Sequence, residues 1–532
     1  MNLNRRTSQL LNLFAILLIA VVLIAPNDLN DFAWRIFVAL PIELLILGLG
    51  LLLPGRAGNS FRILAAIILA VGIVLKIADI AVFKIFARPF NPVLDSFFIA
   101  NGMNLLTGAL GHMRAVLVAL LLIAATIGII ALCFWLMRRA QKLVHLAPRK
   151  SVAVLLTGFV IWLAMTITEV PGAARSFYDQ LADHISSTYY SYAELKIFKQ
   201  ELEVDHVLAN TPADKLFNKL KGKDVLVVFI ESYGRTVLDQ PEFAQHVRPV
   251  LQKGSEDLAA NGLGARSAFL SSSTLGGLSW LAHGTALSGL WINGQERYDS
   301  LVMSQRPSLN RLFRNSGWRT VAVMPAITAG WPEGDYFGYE HIYTANNLGY
   351  KGLPFSWVTM PDQYTLSAFQ QLERKPGHTP VMAEMALISS HAPWTPIPSL
   401  IDWNNVGDGS IFNSQAIAGD SAEYVWQDTG RIRTQFRKSI EYALADLVSY
   451  AVAYGDDNLV ILAFGDHQPA PLVTGDSDNR DVLVHLIARD PKILESVADW
   501  KWTDGMLPTH DAPVWRMDEL RPRLIETFSK AD

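Results

Sequence analysis

Four stretches of the chain carry the side chains with most to offer chemically: "GGLSWLAHGTALSGL" at 276–290, "FIESYGR" ending at Arg235, "SSHAPW" around His391, and "FGDHQP" around Asp466 and His467. In the first, Ser279 follows a flexible Gly-Gly-Leu. The residues after it suit a helix, with Trp280, Gly284, Leu287 and Trp291 on one face. A serine at such a junction is by default an N-cap, so any chemical role must come from the rest of the chain. Glu231, Asp466 and His467 would supply two hard oxygen ligands and one imidazole, a set that suits Mn²⁺, Mg²⁺ or Zn²⁺ and not a soft metal. A serine or threonine oxygen can complete it. Beside a dication that hydroxyl loses its proton more easily and becomes a nucleophile at neutral pH, and a helix N-terminus favours the anionic ester under attack.

These residues are far apart in sequence, so the fold must bring them together. From about residue 221, short apolar runs alternate with amphipathic helices, which predicts an α/β domain with a largely parallel central sheet. "DVLVVFIES", "WRTVAVMPA", "TPVMAEMALISSH" and "NLVILAFGDHQP" read as buried strands. "RIRTQFRKSIEYALADLVSYAVAYG" reads as a helix with Ile440, Ala443, Leu444, Leu447 and Ala451 on one face. Three strands stop at Glu231, His391 and the pair Asp466–His467, and open α/β sheets bind ligands at the carboxyl ends of their strands.

In this order, behind an apolar first third, these motifs resemble the sulfatase-like branch of the alkaline phosphatase superfamily. The nearest resemblance is to its membrane-anchored lipoteichoic acid synthase and phosphoethanolamine transferase members. The resemblance implies that Glu231, Asp466 and His467 are metal ligands and that His391 contacts the phosphate or the leaving oxygen. In these families the nucleophile precedes a Thr/Ser-Gly landmark by nine positions on one helix. Ser288-Gly289 fits that landmark and points back to Ser279, which would be both nucleophile and metal ligand; Thr274 is the alternative hydroxyl. Two departures matter. Ser279-Trp-Leu-Ala-His283 lacks the proline and arginine of a formylglycine sulfatase. "MPAITAGWPEGD" keeps Trp331 as a wall for the headgroup but has Pro325 and Glu333 where phosphoglycerol transferases carry His and Arg, so the headgroup stays open. Arg235 is a candidate for a substrate phosphate or for a pair with a nearby carboxylate, and Trp394 either floors an acceptor-sugar site or is a packed rim aromatic. His283 reads as a helix-face residue, and His510 and Asp511 as a surface turn.

Five apolar stretches, near 9–25, 33–54, 62–83, 114–137 and 151–169, are long enough to span a bilayer. The first lacks a small-residue cleavage site and reads as a retained anchor. Arg5, Arg6, Arg56, Arg62 and the basic run at 138–150 place their loops in the cytoplasm, so everything after residue 170 is expected outside. The Phe-, Pro- and Gly-rich stretch between spans three and four is either interfacial or an ordinary loop. Expected domains are therefore a five-span membrane domain at 1–170, a juxtamembrane helical linker at 171–220 and a catalytic domain at 221–532. A single cysteine, Cys133, excludes a disulfide framework within the chain, and the net charge of −4 gives no sign of a nucleic-acid partner.

The expectation is an enzyme at the outer face of a bacterial cytoplasmic membrane, needing one divalent ion, Mn²⁺ or Zn²⁺ with Mg²⁺ also suitable. It would move a phospholipid headgroup phosphate, phosphoglycerol or phosphoethanolamine, onto a glycan or lipid-linked glycan. The same residues would serve a metal-dependent phosphodiesterase, phosphatase or sulfatase-like hydrolase. A binding or sensory protein with a degenerate catalytic domain is the alternative of another class.

Overall fold

The computed structural model describes residues 2–27, 39–86, 89–95, 102–103, 106–107, 110–168, 172–475 and 477–529. They fall into two compact units, one drawn from the first 194 residues and one from Leu195 onward together with the short segment Ile85–Ala87.

The first unit is helical: α1 (Asn2–Ile24), α2 (Ile42–Leu51), α3 (Gly55–Phe86), α4 (His112–Leu146) and α5 (Pro148–Ile167), with α6 (Ser176–Glu201) running into the second unit. Four of these, α1, α3, α4 and α5, contain segments long and apolar enough to cross a membrane. The five expected spans are thus four among the described residues. The second expected span reduces to α2, ten residues ending before Pro54, which is too short to cross 30 Å of hydrocarbon at 1.5 Å per residue. Its first part, 33–38, lies outside the described residues, as does much of the stretch assigned as interfacial or loop.

The second unit is built on a nine-stranded sheet. Its strands are β1 (Asp224–Ile230), β2 (Gly264–Ser271), β3 (Arg319–Met324), β4 (His341–Thr344), β5 (Val381–Leu387), β6 (Leu459–Gly465), β7 (Asp481–Ala488), β8 (Thr503–Asp504) and β9 (Val514–Arg516). They lie in the order β8-β2-β7-β6-β1-β5-β3-β4, with β9 pairing β2. The sheet is mixed: parallel through β6-β1-β5-β3-β4 and antiparallel where β7 joins β6 and β2. An unbroken apolar run marks a strand buried on both faces but carries no information about its direction, and "DVLVHLIA" of β7 reads the same either way.

Helices cover the sheet. They include α7 (Pro241–Ala260), α8 (Ser279–Ser288), α9 (Asp362–Glu373) and α10 (Thr429–Tyr454). On α10, Ile440, Ala443, Leu444, Leu447 and Ala451 are all buried, the face its periodicity predicts. Asp428 caps its start by accepting from the Arg431 N–H at 2.8 Å.

Candidate functional site

Because β1 lies between β6 and β5, the residues that follow these three strands leave the sheet side by side. Glu231 follows β1, Asp466 and His467 follow β6, and His391 stands just beyond β5. The first two turns interlock backbone to backbone. A Cβ on Gly465 would lie 2.1 Å from the Tyr233 carbonyl oxygen, and one on Gly234 2.8 Å from the Gln468 Cα. Glycine is the residue that permits such approach, which explains its place in both motifs.

The polar atoms then converge. Asp466 Oδ1 accepts from the Ser232 and His467 N–H groups at 2.8 and 2.7 Å, leaving Oδ2 to face His467 Nε2 at 3.6 Å. His467 Nδ1 lies 2.8 Å from the Gln468 carbonyl. A carbonyl only accepts, so the proton sits on Nδ1 and the Nε2 lone pair points into the cluster. Nε2 is 3.5 Å from Glu231 Oε1. One ligand atom from each of Glu231, Asp466 and His467 fits within 4.8 Å of the others.

Ser279 joins this group and does not cap its helix. It is the first residue of α8, and the N-cap position belongs to Leu278, in the left-handed conformation (φ 65°, ψ 42°) with no side-chain cap bond. Instead Ser279 Oγ donates to Glu231 Oε2 at 3.1 Å and lies 3.2 Å from His467 Nε2. The loop before it is pinned to the Asp466 turn: Ser272 Oγ donates to the Asp466 carbonyl at 2.6 Å, and the Gly276 N–H to the Gln468 carbonyl at 2.9 Å. The other hydroxyls are engaged elsewhere. Thr274 Oγ1 donates to the Gly277 carbonyl at 2.7 Å, and Ser288, buried at the far end of α8, accepts from the Leu290 N–H at 3.2 Å.

Electrostatically the cluster is short of positive charge. Burial raises the Asp466 carboxyl, and the neighbouring Glu231 carboxylate raises it further. Burial opposes ionisation of Glu231 too, but His467 and then His391 hold its carboxyl below the usual range. Burial lowers the His467 imidazole, yet Asp466 and Glu231 outweigh it, so it is raised. Among the described residues, no arginine or lysine pairs with either acid. Two buried carboxylates, an inward imidazole lone pair and a hydroxyl form a donor set that fits a hard or borderline divalent cation.

The remaining candidates divide. His391 is exposed, and its Nδ1 lies 2.6 Å from the Ala392 carbonyl, which leaves Nε2 without a bond to that turn. Arg235 is taken up by Asp481 (Nη1–Oδ2 3.2 Å) and by the His510 carbonyl (3.0 Å) and stacks over Phe269. Trp331 is half-buried against Phe337 and Tyr339. Trp394, read as either a sugar floor or a packed aromatic, is the latter at 4 % exposed: Trp426 and Phe436 pack on its ring, and its Nε1 donates to the Ser390 carbonyl at 2.7 Å. His510 and Asp511 are exposed.

Sequence reasoning missed a polar group under the site. His283, one turn beyond Ser279 on α8, stacks on Phe229 and sets Nδ1 2.7 Å from buried Glu384 Oε1. Asn310 and Tyr339 donate to the other Glu384 oxygen. The available signal was an acid inside the otherwise apolar strand "VMAEMAL". Asp362 was also missed. It accepts from the Ile388 and Ser389 N–H groups at 2.7 and 3.0 Å and so fixes the turn that leads to His391.

No protein-family model and no curated protein matches the chain. Among solved structures it is similar to lipooligosaccharide phosphoethanolamine transferase A from Neisseria meningitidis, at 10% identity over 97% of this chain and 95% of that one, with a TM-score of 0.44. It is also similar to the lipoteichoic acid synthase LtaP from Listeria monocytogenes, at 13% identity over 64% and 78%, TM-score 0.38. A third is the Streptococcus pyogenes phosphoglycerol transferase GacH in complex with sn-glycerol-1-phosphate, at 12% identity over 64% and 85%, TM-score 0.38.

Proposed function

We propose that this chain is a metal-dependent membrane transferase of the sulfatase-like kind. It moves a phospholipid headgroup phosphate, phosphoglycerol or phosphoethanolamine, onto an extracytoplasmic glycan through a phosphoseryl intermediate. One observation carries this reading: Ser279 Oγ is turned away from its own helix and held between Glu231 Oε2 and His467 Nε2. A serine that only shaped the loop would bond to its own backbone, as Thr274 does.

Glu231, Asp466, His467 and Ser279 would hold the divalent ion, Mn²⁺ or Zn²⁺, with Mg²⁺ also suited. When bound, it would offset the charge of the two acids and make the serine hydroxyl more acidic. The protein's own groups supply the rest. Ser279 Oγ, losing its proton to solvent water, forms a bond to phosphorus as the bond to the diacylglycerol oxygen breaks. His391 Nε2 protonates that oxygen, and diacylglycerol leaves. In the second half an acceptor hydroxyl passes its proton to His391 and attacks the same phosphorus, and Ser279 departs, recovering a proton from water. The backbone N–H groups opening α8 favour the anionic phosphate throughout. A lipid donor gives the apolar helices of the first unit their purpose; a cytoplasmic basic run at 138–150, followed by the single crossing α5 (Pro148–Ile167), would carry the second unit to the outer face of a cytoplasmic membrane.

The test is mass spectrometry of membrane lipids and surface glycans from cells with and without the gene. Released diacylglycerol together with a glycan heavier by one headgroup phosphate is expected. Free headgroup phosphate with unmodified glycan would make the chain a hydrolase, and no change in either would leave a binding protein. Orientation is tested separately with Met303→Cys, at a position 85% exposed, in a Cys133→Ser background. A membrane-impermeant maleimide should label it in intact cells, and labelling only after lysis would overturn the assignment.

A further inference from the structure

Beside His391 the surface opens into a groove of about 510 Å³, lined among others by Trp357, Pro393, Glu423 and Trp426. Two indoles left open in one hollow run against the tendency of aromatic side chains to bury. Trp357 is 53% exposed and Trp426 46%. Trp426 is nevertheless rigidly mounted. It stacks on buried Trp394 with ring centroids 5.8 Å apart and planes within 8°, and its Nε1 donates to the Pro393 carbonyl at 3.2 Å. Trp394 in turn is fixed by its bond to the Ser390 carbonyl in the turn that carries His391. The groove therefore presents a pre-organised apolar face, a carboxylate at its rim and an imidazole at its edge.

A ligand that matches has a flat C–H face and a ring of hydroxyl donors, which describes a pyranose. We infer that this groove is the acceptor-sugar subsite. Trp426 and Trp357 stack on pyranose rings, Glu423 accepts from their hydroxyls, and one sugar hydroxyl is presented to His391. The inference rests on the transferase reading and adds where the acceptor sits. It also moves the sugar-floor reading of Trp394 to its neighbour, and Trp394 becomes the buried support of the indole that does the stacking. A lipid surface is the competing occupant of exposed tryptophans. It fits less well, because Glu423 would oppose an anionic membrane.

The experiment uses the full-length chain in a detergent without a sugar headgroup and measures binding of maltotriose, laminaritriose and N-acetylchitotriose by saturation-transfer NMR. At least one should bind saturably. Trp426→Ala should weaken it about tenfold, Trp357→Ala about threefold, and Trp426→Phe should restore most of the loss, which a folding defect would not allow. The same variants should raise the acceptor KM far more than they lower kcat. No binding of any of the three sugars, or equal binding by both alanine variants, overturns the subsite. So does loss of binding to phosphatidylglycerol vesicles with sugar binding retained. Sugar binding without any transfer by the wild-type chain would defeat the transferase reading and leave the subsite standing. Transfer with an unchanged acceptor KM in both variants would defeat the subsite alone.

Discussion

Strand β1 carries a buried acid at each end, and the two are treated in opposite ways. Asp224, at its start, accepts from Arg374 Nε at 2.8 Å, lies 2.8 Å from His378 Nε2 and accepts from the Val381 N–H at 3.1 Å. Arg374 is itself buried and reaches Asp456 as well. That end is a closed ion-pair network. Glu231, just past the other end, meets a second carboxylate, an imidazole and a serine hydroxyl, with no arginine or lysine among the described residues. One strand thus separates a carboxylate neutralised by the protein from a pair left for something else to neutralise. Buried carboxylates without an arginine or lysine partner are common at functional sites, and this contrast supports the site proposed around Glu231.

The contrast is broken most directly by removing the hydroxyl that distinguishes the working end. Ser279→Ala should lower donor cleavage by ~10³-fold or more. It should change stability by less than ~1 kcal/mol, because the side chain caps nothing. A thermal melt that collapses together with activity would make Ser279 structural.

A paired substitution at the two ends sharpens it. Asp224→Asn leaves Arg374 buried and short of its partner, and should cost ~3 kcal/mol or more of stability, read from the melting transition. Asp466→Asn in metal-free protein should be neutral or slightly stabilising, since it removes one of two repelling buried carboxylates. It should also lower bound Mn²⁺ or Zn²⁺ and activity together. Equal destabilisation at both ends would erase the distinction.

A smaller effect comes from His485, buried in β7 between the Tyr233 hydroxyl (3.0 Å) and Ser267 Oγ (2.7 Å). Burial pushes its imidazole down to about 3. Between about 6.5 and 3 the unfolded chain binds a proton there that the native chain refuses. Stability contributed by the neutral ring is therefore present above pH 6.5 and falls by ~1.4 kcal/mol per pH unit as pH drops through this window. His485→Gln should show a shallower acid slope in melts between pH 6 and 4.5, and an unchanged slope would refute the assignment.

Much of this arrangement was legible because fully buried strands announce themselves. Apolar runs that end abruptly at Glu231 and Asp466 located both the strands and the edge where their polar residues gather. Strand direction was not legible, since the apolar content of β7 is the same parallel or antiparallel. Nor was the helix start at Ser279: a serine after glycines looks like a cap, and only the left-handed turn at Leu278 releases it to face Glu231. Trp394 and Trp426 could not be ranked by type, because which of two stacked indoles is covered depends on α10, where Phe436 packs against the first. Glu384 was missed, although an acid inside the apolar strand "VMAEMAL" is one that burial obliges to find partners.

The central claim is that Ser279 carries the transferred phosphate. The direct measurement is peptide mapping by mass spectrometry of the full-length chain, loaded with Mn²⁺ and incubated with phosphatidylglycerol or phosphatidylethanolamine and no acceptor. A headgroup phosphate on the peptide containing Ser279, localised to that residue and absent from Ser279→Ala, is the expected result. The same adduct on Thr274, or diacylglycerol release with no protein adduct at all, would contradict it.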